Sequence, residues 1–125
     1  MELNDLTYNI RGAIFSVFNE LGPGLLESVY ESALAFELKE LGLKTRTQVP
    51  MPVIYKDVML ELGFRLDILV NDSIIIEIKS VESLHNVHKK QLLTYLKLSG
   101  LKLGILVNFN TDKLIDKESI IRIIN

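Results

Sequence analysis

Two short apolar runs near the middle of the chain contain charged residues that buried strands rarely hold. Residues 64–70 and 74–79 are rich in Ile, Leu and Val and are separated by Asn-Asp-Ser, which predicts two strands joined by a turn. Asp67 lies in the first run, and Glu77 and Lys79 lie in the second. Because burial of an unpaired charge is costly, these groups must be paired, exposed at a strand end or bound to a metal.

A three-residue loop sets the register of the two predicted strands. If Val70 pairs with Ile74, Asp67 lies directly opposite Glu77. Because side chains alternate along a strand, Glu77 and Lys79 share one face. Opposed carboxylates repel each other, so this register predicts a cation between them. An ordinary ion pair between Lys79 and one of the carboxylates is the alternative interpretation.

The same alternation divides the first strand between two faces. Asp67 should share its face with Arg65, and the apolar residues of the other face should pack together in the core. The expected apolar set comprises Phe64, Leu66, Ile68 and Val70.

Two carboxylates supply the hard oxygen ligands that Mg²⁺ or Mn²⁺ prefers. Such an ion polarises a phosphoryl oxygen and lowers the pKa of bound water, and Lys79 on the same face could stabilise charge in the transition state. The pattern therefore indicates phosphodiester chemistry.

The remaining periodicities predict a single domain over residues 1–125. Apolar residues at helical spacing and runs of strand length give the order α-α-β-β-β-β-α-β-β, which favours an α/β fold with a mixed sheet flanked by helices. The expected helices span 6–21, 25–41 and 86–98, and the outer strands span 45–55, 58–62, 103–109 and 119–124. Tyr8 and Phe36 are expected in the core.

Composition limits the class of protein. The 125 residues include no cysteine, which excludes disulfides and thiolate zinc sites. The first residues lack a secretory pattern and no apolar run approaches a membrane span, so a cytoplasmic protein without membrane contact is expected. The net charge of −2 disfavours avid non-specific binding to nucleic acid, but residues 83–110 hold four lysines and no acid. That stretch is either a solvated face or a phosphate-contacting edge.

Five motifs in order resemble the GxxExxY protein family, a branch of the PD-(D/E)xK nuclease superfamily with a restriction-endonuclease-like fold. They are Gly24-x-x-Glu27-x-x-Tyr30, Gly63-Phe64-Arg65-x-Asp67, Glu77-x-Lys79, Gln91-x-x-x-Tyr95 and Asn108-Phe109. The similarity covers about residues 6–124.

The resemblance implies a nuclease that uses Mg²⁺ or Mn²⁺ and acts on nucleic acid, with DNA as the expected substrate. The implied metal ligands are Asp67, Glu77 and the Ile78 carbonyl, with Glu27 approaching the metal directly or through water. Lys79 is the implied catalytic lysine. The implied role of Gln91 and Tyr95 is to line the site and contact the scissile strand.

Other interpretations stay open at this point. A nuclease-fold module could bind nucleic acid or a partner without catalysis, and the polar cluster could be an ion-pair network. A small catalytic domain would bind duplex DNA more tightly as a homodimer. His85 and His88, at i and i+3, could contact phosphate or a metal, although no third His or Cys is present to complete a zinc site.

Overall fold

Five strands form one mixed sheet with helices packed on both faces. The computed structural model describes residues 1–125, except for the side chains of residues 61 and 62. The elements are α1 (Leu3–Leu21), α2 (Glu27–Glu40), β1 (Thr45–Tyr55), β2 (Val58–Val70), β3 (Ile74–Lys79), α3 (Asn86–Ser99), β4 (Leu103–Asn108) and β5 (Ile120–Ile124). This architecture confirms the predicted α/β class and the restriction-endonuclease-like fold.

The strands are ordered β1-β2-β3-β4-β5 across the sheet. Only β3 and β4 run parallel, and the other neighbours are antiparallel. Parallel neighbours need a crossover connection, and α3 provides it between β3 and β4. This crossover places α3 on the face of the sheet opposite α1 and α2.

Two apolar cores lie on the two faces. The larger joins the inner sides of α1 and α2 to β3 and β4, with Ile10, Leu34 and Ile76 among its fully buried members. The smaller packs α3 on the opposite face through Leu92 and Leu96. Gly104 lets α3 approach closely, because a Cβ there would meet the Leu92 side chain at 2.8 Å.

The prediction of two separate strands at 58–62 and 64–70 is wrong, because β2 runs unbroken from Val58 to Val70. Glycine in a strand can indicate either a break or a close backbone approach, and Gly63 is the second case. A Cβ at Gly63 would collide with the Met51 carbonyl oxygen. The register of β1 and β2 shifts between Met51 and Val53, where β2 takes up the extra residues.

The prediction that Leu66 and Ile68 share a face is also wrong. Leu66 packs in the core beneath α3, whereas Ile68 packs in the core beneath α1 and α2. The alternation of side chains between the two faces of β2 breaks at Asp67. At this point the β1–β2 pairing is interrupted, because Gln48 and Asp67, which lie opposite each other, do not pair. The strand rotates locally at this point, which a strict period of two cannot anticipate.

Two aromatic residues expected in the core lie outside it. Tyr8 is 77% exposed and Phe36 is 61% exposed, because each lies on the outer side of its helix, which no element of the fold covers. None of the helices described is long and apolar enough to cross a membrane.

Candidate active site

Asp67 and Glu77 meet where the β2–β3 ladder ends. Paired positions run from Val70↔Ile74 to Ile68↔Ile76, which confirms the predicted register. At the next position the backbone pairing is replaced by side-chain bonds. The Ile78 N–H donates to Asp67 Oδ2 at 2.8 Å, and the Asp67 N–H donates to Glu77 Oε1 at 3.4 Å.

Glu77 is a buried acid next to another acid. Glu77 is only 5% exposed. Burial, followed by the neighbouring Asp67 charge and a hydrogen bond with Asp67, raises the pKa of Glu77 to about 9. The Lys79 charge opposes this shift without overcoming it. Without a cation, Glu77 therefore holds a proton at neutral pH.

The donor set fits a hard divalent cation. Two carboxylates converge at one point, and burial together with the neighbouring Asp67 raises the pKa of Glu77. A bound cation would favour the ionised form of Glu77. In the described part of the chain, no three His, Cys, Asp or Glu side chains come together as a ready-made metal cage. An ion held by Asp67 and Glu77 would need further ligands, such as backbone oxygen, water or substrate phosphate, which is usual for Mg²⁺.

The start of α2 is held in place by Tyr30. The Tyr30 hydroxyl donates to the Gly22 carbonyl at 2.6 Å and accepts from the Leu25 N–H at 3.1 Å. Its ring stacks on Phe109 with centroids 4.4 Å apart. Gly24 adopts φ +98°, a conformation that favours glycine. These contacts explain the spacing of glycine and tyrosine around Glu27, which is the first residue of α2.

A pocket of about 360 Å³ joins α2 to the end of β2 and β3. Its lining consists of Glu27, Ser28, Glu31, Gln48, Asp67 and Ile78. The structure thus brings Glu27, Asp67 and Ile78 to one pocket, and their role as metal ligands stays a prediction.

Glu31 and Gln48 belong to this pocket although sequence reasoning did not select them. Gln48 Nε2 donates to Glu31 Oε1 at 2.6 Å. Burial raises the pKa of Glu31, the Gln48 bond lowers it, and the charges of Asp67 and Glu27 raise it further. The i,i+4 spacing of Glu27 and Glu31 was the available signal. Nothing in the sequence pointed to Gln48.

Lys79 is the last residue of β3 and is half-buried. Among the described side chains, no carboxylate oxygen lies within 4.0 Å of its ammonium group, although its charge lowers the pKa of nearby Glu77. The predicted alternative, an ion pair between Lys79 and a carboxylate, is therefore not formed. The Lys79 carbonyl accepts from the Phe109 N–H at 3.0 Å. The next turn is fixed by the buried Asn108 side chain, which bonds both the N–H and the carbonyl of Val81.

Helix α3 brings Tyr95 to the site. Tyr95 is 8% exposed and stacks on Phe64 with centroids 4.0 Å apart. Burial raises the pKa of Tyr95, and the charges of Glu77 and Asp67 add to the effect. Gln91 lies one turn earlier on α3 and is exposed, and the described hydrogen bonds include none from its side chain.

The two histidines cap α3. The His85 N–H donates to His88 Nδ1 at 3.0 Å, and the rings lie 5.8 Å apart. Burial lowers the pKa of His88, Lys79 and His85 lower it further, and Glu27 raises it. His88 therefore lies within electrostatic range of Lys79 and Glu27, and its Nδ1 is occupied by the bond to the His85 N–H. Arg65 donates to the Gln48 carbonyl at 3.3 Å rather than to a site carboxylate.

A mixed sheet between helices, with Asp67 inside β2 beside Glu77 and Lys79 at the end of the adjacent β3, defines a restriction-endonuclease-like protein. A family model described as the PD-(D/E)XK nuclease superfamily matches residues 4–123, and the chain belongs to that superfamily. The comparisons with curated proteins and with solved structures gave no significant match.

Proposed function

We propose that this protein is a nuclease that depends on Mg²⁺ or Mn²⁺ and hydrolyses phosphodiester bonds of DNA. The single observation that carries the proposal is the convergence of Asp67 with the buried Glu77, whose pKa is raised to about 9. Two acids held together in a buried place are costly unless one keeps its proton or a cation is bound there, and such perturbed groups are concentrated at functional sites. Membership of the PD-(D/E)XK superfamily supports the same chemistry.

Each side chain of the site has a proposed role. Asp67 and Glu77 would hold the cation, and the Ile78 carbonyl and Glu27 would be further ligands. The Ile78 N–H fixes the orientation of Asp67 through its 2.8 Å bond. When bound, the metal supplies Lewis-acid activation of the phosphate and of the attacking water.

The other side chains act on the substrate. Lys79, free of a carboxylate within 4.0 Å in the described structure, stabilises the charge that develops on the phosphate oxygens. The proposed role of Tyr95 and Gln91, one turn apart on α3, is to contact the scissile strand. The lysines of α3, Lys89, Lys90 and Lys97, extend the phosphate-binding edge beyond the site.

Cleavage of labelled single-stranded, duplex and flapped DNA, and of RNA, tests the proposal. We expect products in Mg²⁺ or Mn²⁺ and none in EDTA. Asp67→Ala and Lys79→Ala should lower the rate by about 10²- to 10³-fold, while Lys56→Ala, at an exposed position in the β1–β2 turn, should leave it unchanged. A wild-type protein that cuts none of these substrates with either metal would refute the proposal.

A non-catalytic nuclease-fold module is the second candidate. The observation in its favour is that the Asp67–Glu77 pair is self-consistent without metal, because Glu77 can keep its proton at neutral pH. Binding of DNA without any binding of Mn²⁺ and without turnover would establish this second function in place of the first.

A further inference from the structure

Gln48 combines two unusual properties in the middle of β1. Its φ is +52°, in the left-handed region that side chains other than glycine rarely adopt. In the described chain, the other non-glycine residues with positive φ are Lys56, Asp57, Asn71, Asp72 and Lys117, all of which lie in turns. Gln48 is therefore the one such residue that interrupts a strand.

The interruption lies directly across from Asp67. The β1–β2 ladder pairs Thr47 with Ile68 and Val49 with Leu66, and the intervening pair, Gln48 with Asp67, is absent. On β2 the same point separates Leu66, which packs under α3, from Ile68, which packs under α1 and α2. The two strands thus deviate together at one pair of positions.

This deviation determines the orientation of the Asp67 side chain relative to the sheet. A side chain in a regular strand stands roughly perpendicular to the sheet. The Asp67 carboxylate instead reaches along the sheet to β3, where it accepts the Ile78 N–H at 2.8 Å. A regular pair with a residue in extended conformation at position 48 would restore the alternation and turn Asp67 away from Ile78.

The Gln48 side chain makes a second connection. Its amide donates to Glu31 at 2.6 Å, and both residues line the pocket that also holds Glu27 and Asp67. Gln48 thereby ties α2 to the strand position opposite Asp67. Its carbonyl is held in turn by Arg65 at 3.3 Å.

We infer that Gln48 is a positioning residue: its left-handed backbone directs Asp67 into the site, and its amide holds Glu31 and α2 against it. This inference deepens the proposed function, because it rests on Asp67 as a metal ligand. Gln48 itself touches neither the cation nor the substrate in this scheme.

The test uses the metal-free full-length protein and a signal from the Ile78 amide. Gln48→Gly accepts the left-handed conformation, Gln48→Ala resists it, and the β-branched Gln48→Val resists it most strongly. The matched control is Thr47→Val, which places the same valine one position earlier at an exposed site. Hydrogen exchange and the chemical shift of the Ile78 N–H are measured by NMR.

We expect the protection of the Ile78 N–H against hydrogen exchange to decrease from Gln48→Gly to Gln48→Ala to Gln48→Val. The loss in Gln48→Val should be about tenfold, which is equivalent to one hydrogen bond. Gln48→Gly and Thr47→Val should keep the wild-type Ile78 signal. If Gln48→Val does not fold, Gln48→Ala carries the same test, with a smaller loss. A wild-type Ile78 signal in both Gln48→Ala and Gln48→Val would overturn the inference.

Manganese titration of the same variants distinguishes failure of the Gln48 inference from failure of the proposed function. If the wild type binds Mn²⁺, the affinity should fall in Gln48→Val and hold in Thr47→Val. Wild-type protein that neither binds Mn²⁺ nor cuts DNA would refute the proposed function, whereas the Ile78 signal in metal-free protein still decides the role of Gln48.

Discussion

The strand pair β2–β3 carries charge at both ends, and the two ends differ in how that charge is accommodated. At the turn, Asp72 is exposed and bonds Lys44 at 2.6 Å and Arg46 at 3.4 Å. At the other end, Asp67 lies beside a second acid, Glu77, in a largely buried place. An acidic side chain is thus paired with basic groups at one end and placed beside another acid at the other.

The pKa values express this difference. The hydrogen bond from Lys44 holds the pKa of Asp72 below its usual value, whereas burial raises the pKa of Glu77 to about 9. Exposed ion pairs are common on surfaces and contribute little to stability. A buried pair of acids works against folding at neutral pH, so its presence calls for an explanation from function.

The largest effect should come from charge removal at the buried end. Asp67→Asn keeps the shape of the side chain but weakens the hold on a cation, and we expect cleavage to fall by about 10²-fold or more. Asp72→Asn, the same change at the exposed end, should leave cleavage unchanged. Rates with Mg²⁺ and Mn²⁺ measure this contrast, and equal rates in the two variants would remove the distinction between the ends.

The pH dependence of stability should also separate the two ends. Because the pKa of Glu77 rises from 4.5 to about 9 on folding, the metal-free native state binds more protons than the unfolded state between those values. Stability should therefore fall as pH rises through that window, by up to about 1.4 kcal/mol per pH unit. Glu77→Gln should abolish most of this slope and be more stable than wild type at pH 8.

Urea unfolding in EDTA from pH 5 to pH 9 measures the slope. The control Asp72→Asn should keep the wild-type slope, since the lowered pKa of Asp72 matters only as pH falls below the usual range of an aspartate. If the free energy of unfolding of the wild type is constant over this range, Glu77 is not a buried acid that keeps its proton at neutral pH.

Tyr30 offers a smaller effect that acts through position rather than charge. Tyr30→Phe keeps the stack on Phe109 but removes both bonds of the hydroxyl, to Gly22 and from Leu25. We expect a loss of about 1–3 kcal/mol in the free energy of unfolding, because two backbone groups lose their partner. Thermal unfolding measures the loss, and Tyr8→Phe on the exposed face of α1 should show none.

The smallest effect should come from the exposed end itself. Removal of the charge in Asp72→Asn should produce no measurable shift in the unfolding midpoint at pH 7, because solvent screens an exposed pair. A clear shift would show that the Lys44–Asp72–Arg46 group acts as a network, and it would weaken the contrast between the two ends.

Much of this site could be predicted from the sequence because its determinants are local. The three-residue turn set the register of Val70 and Ile74, and that register carried Asp67 to Glu77. Helical spacing placed Glu27 and Tyr30 on one segment, and Gly100 ended α3 in the left-handed conformation as expected of a C-terminal glycine. These signals depend on a few neighbouring residues, so composition and spacing suffice.

Only the tertiary structure decided the features that depend on partners distant in sequence. Gly63 is a close approach to Met51 rather than a strand break, and Gln48 breaks the alternation of β2 from a neighbouring strand. The raised pKa of Glu77 likewise comes from burial and from Asp67 on the neighbouring strand. The physical reason is that periodicity reports which side of an element is apolar, whereas backbone rotation and desolvation are set by what packs against it.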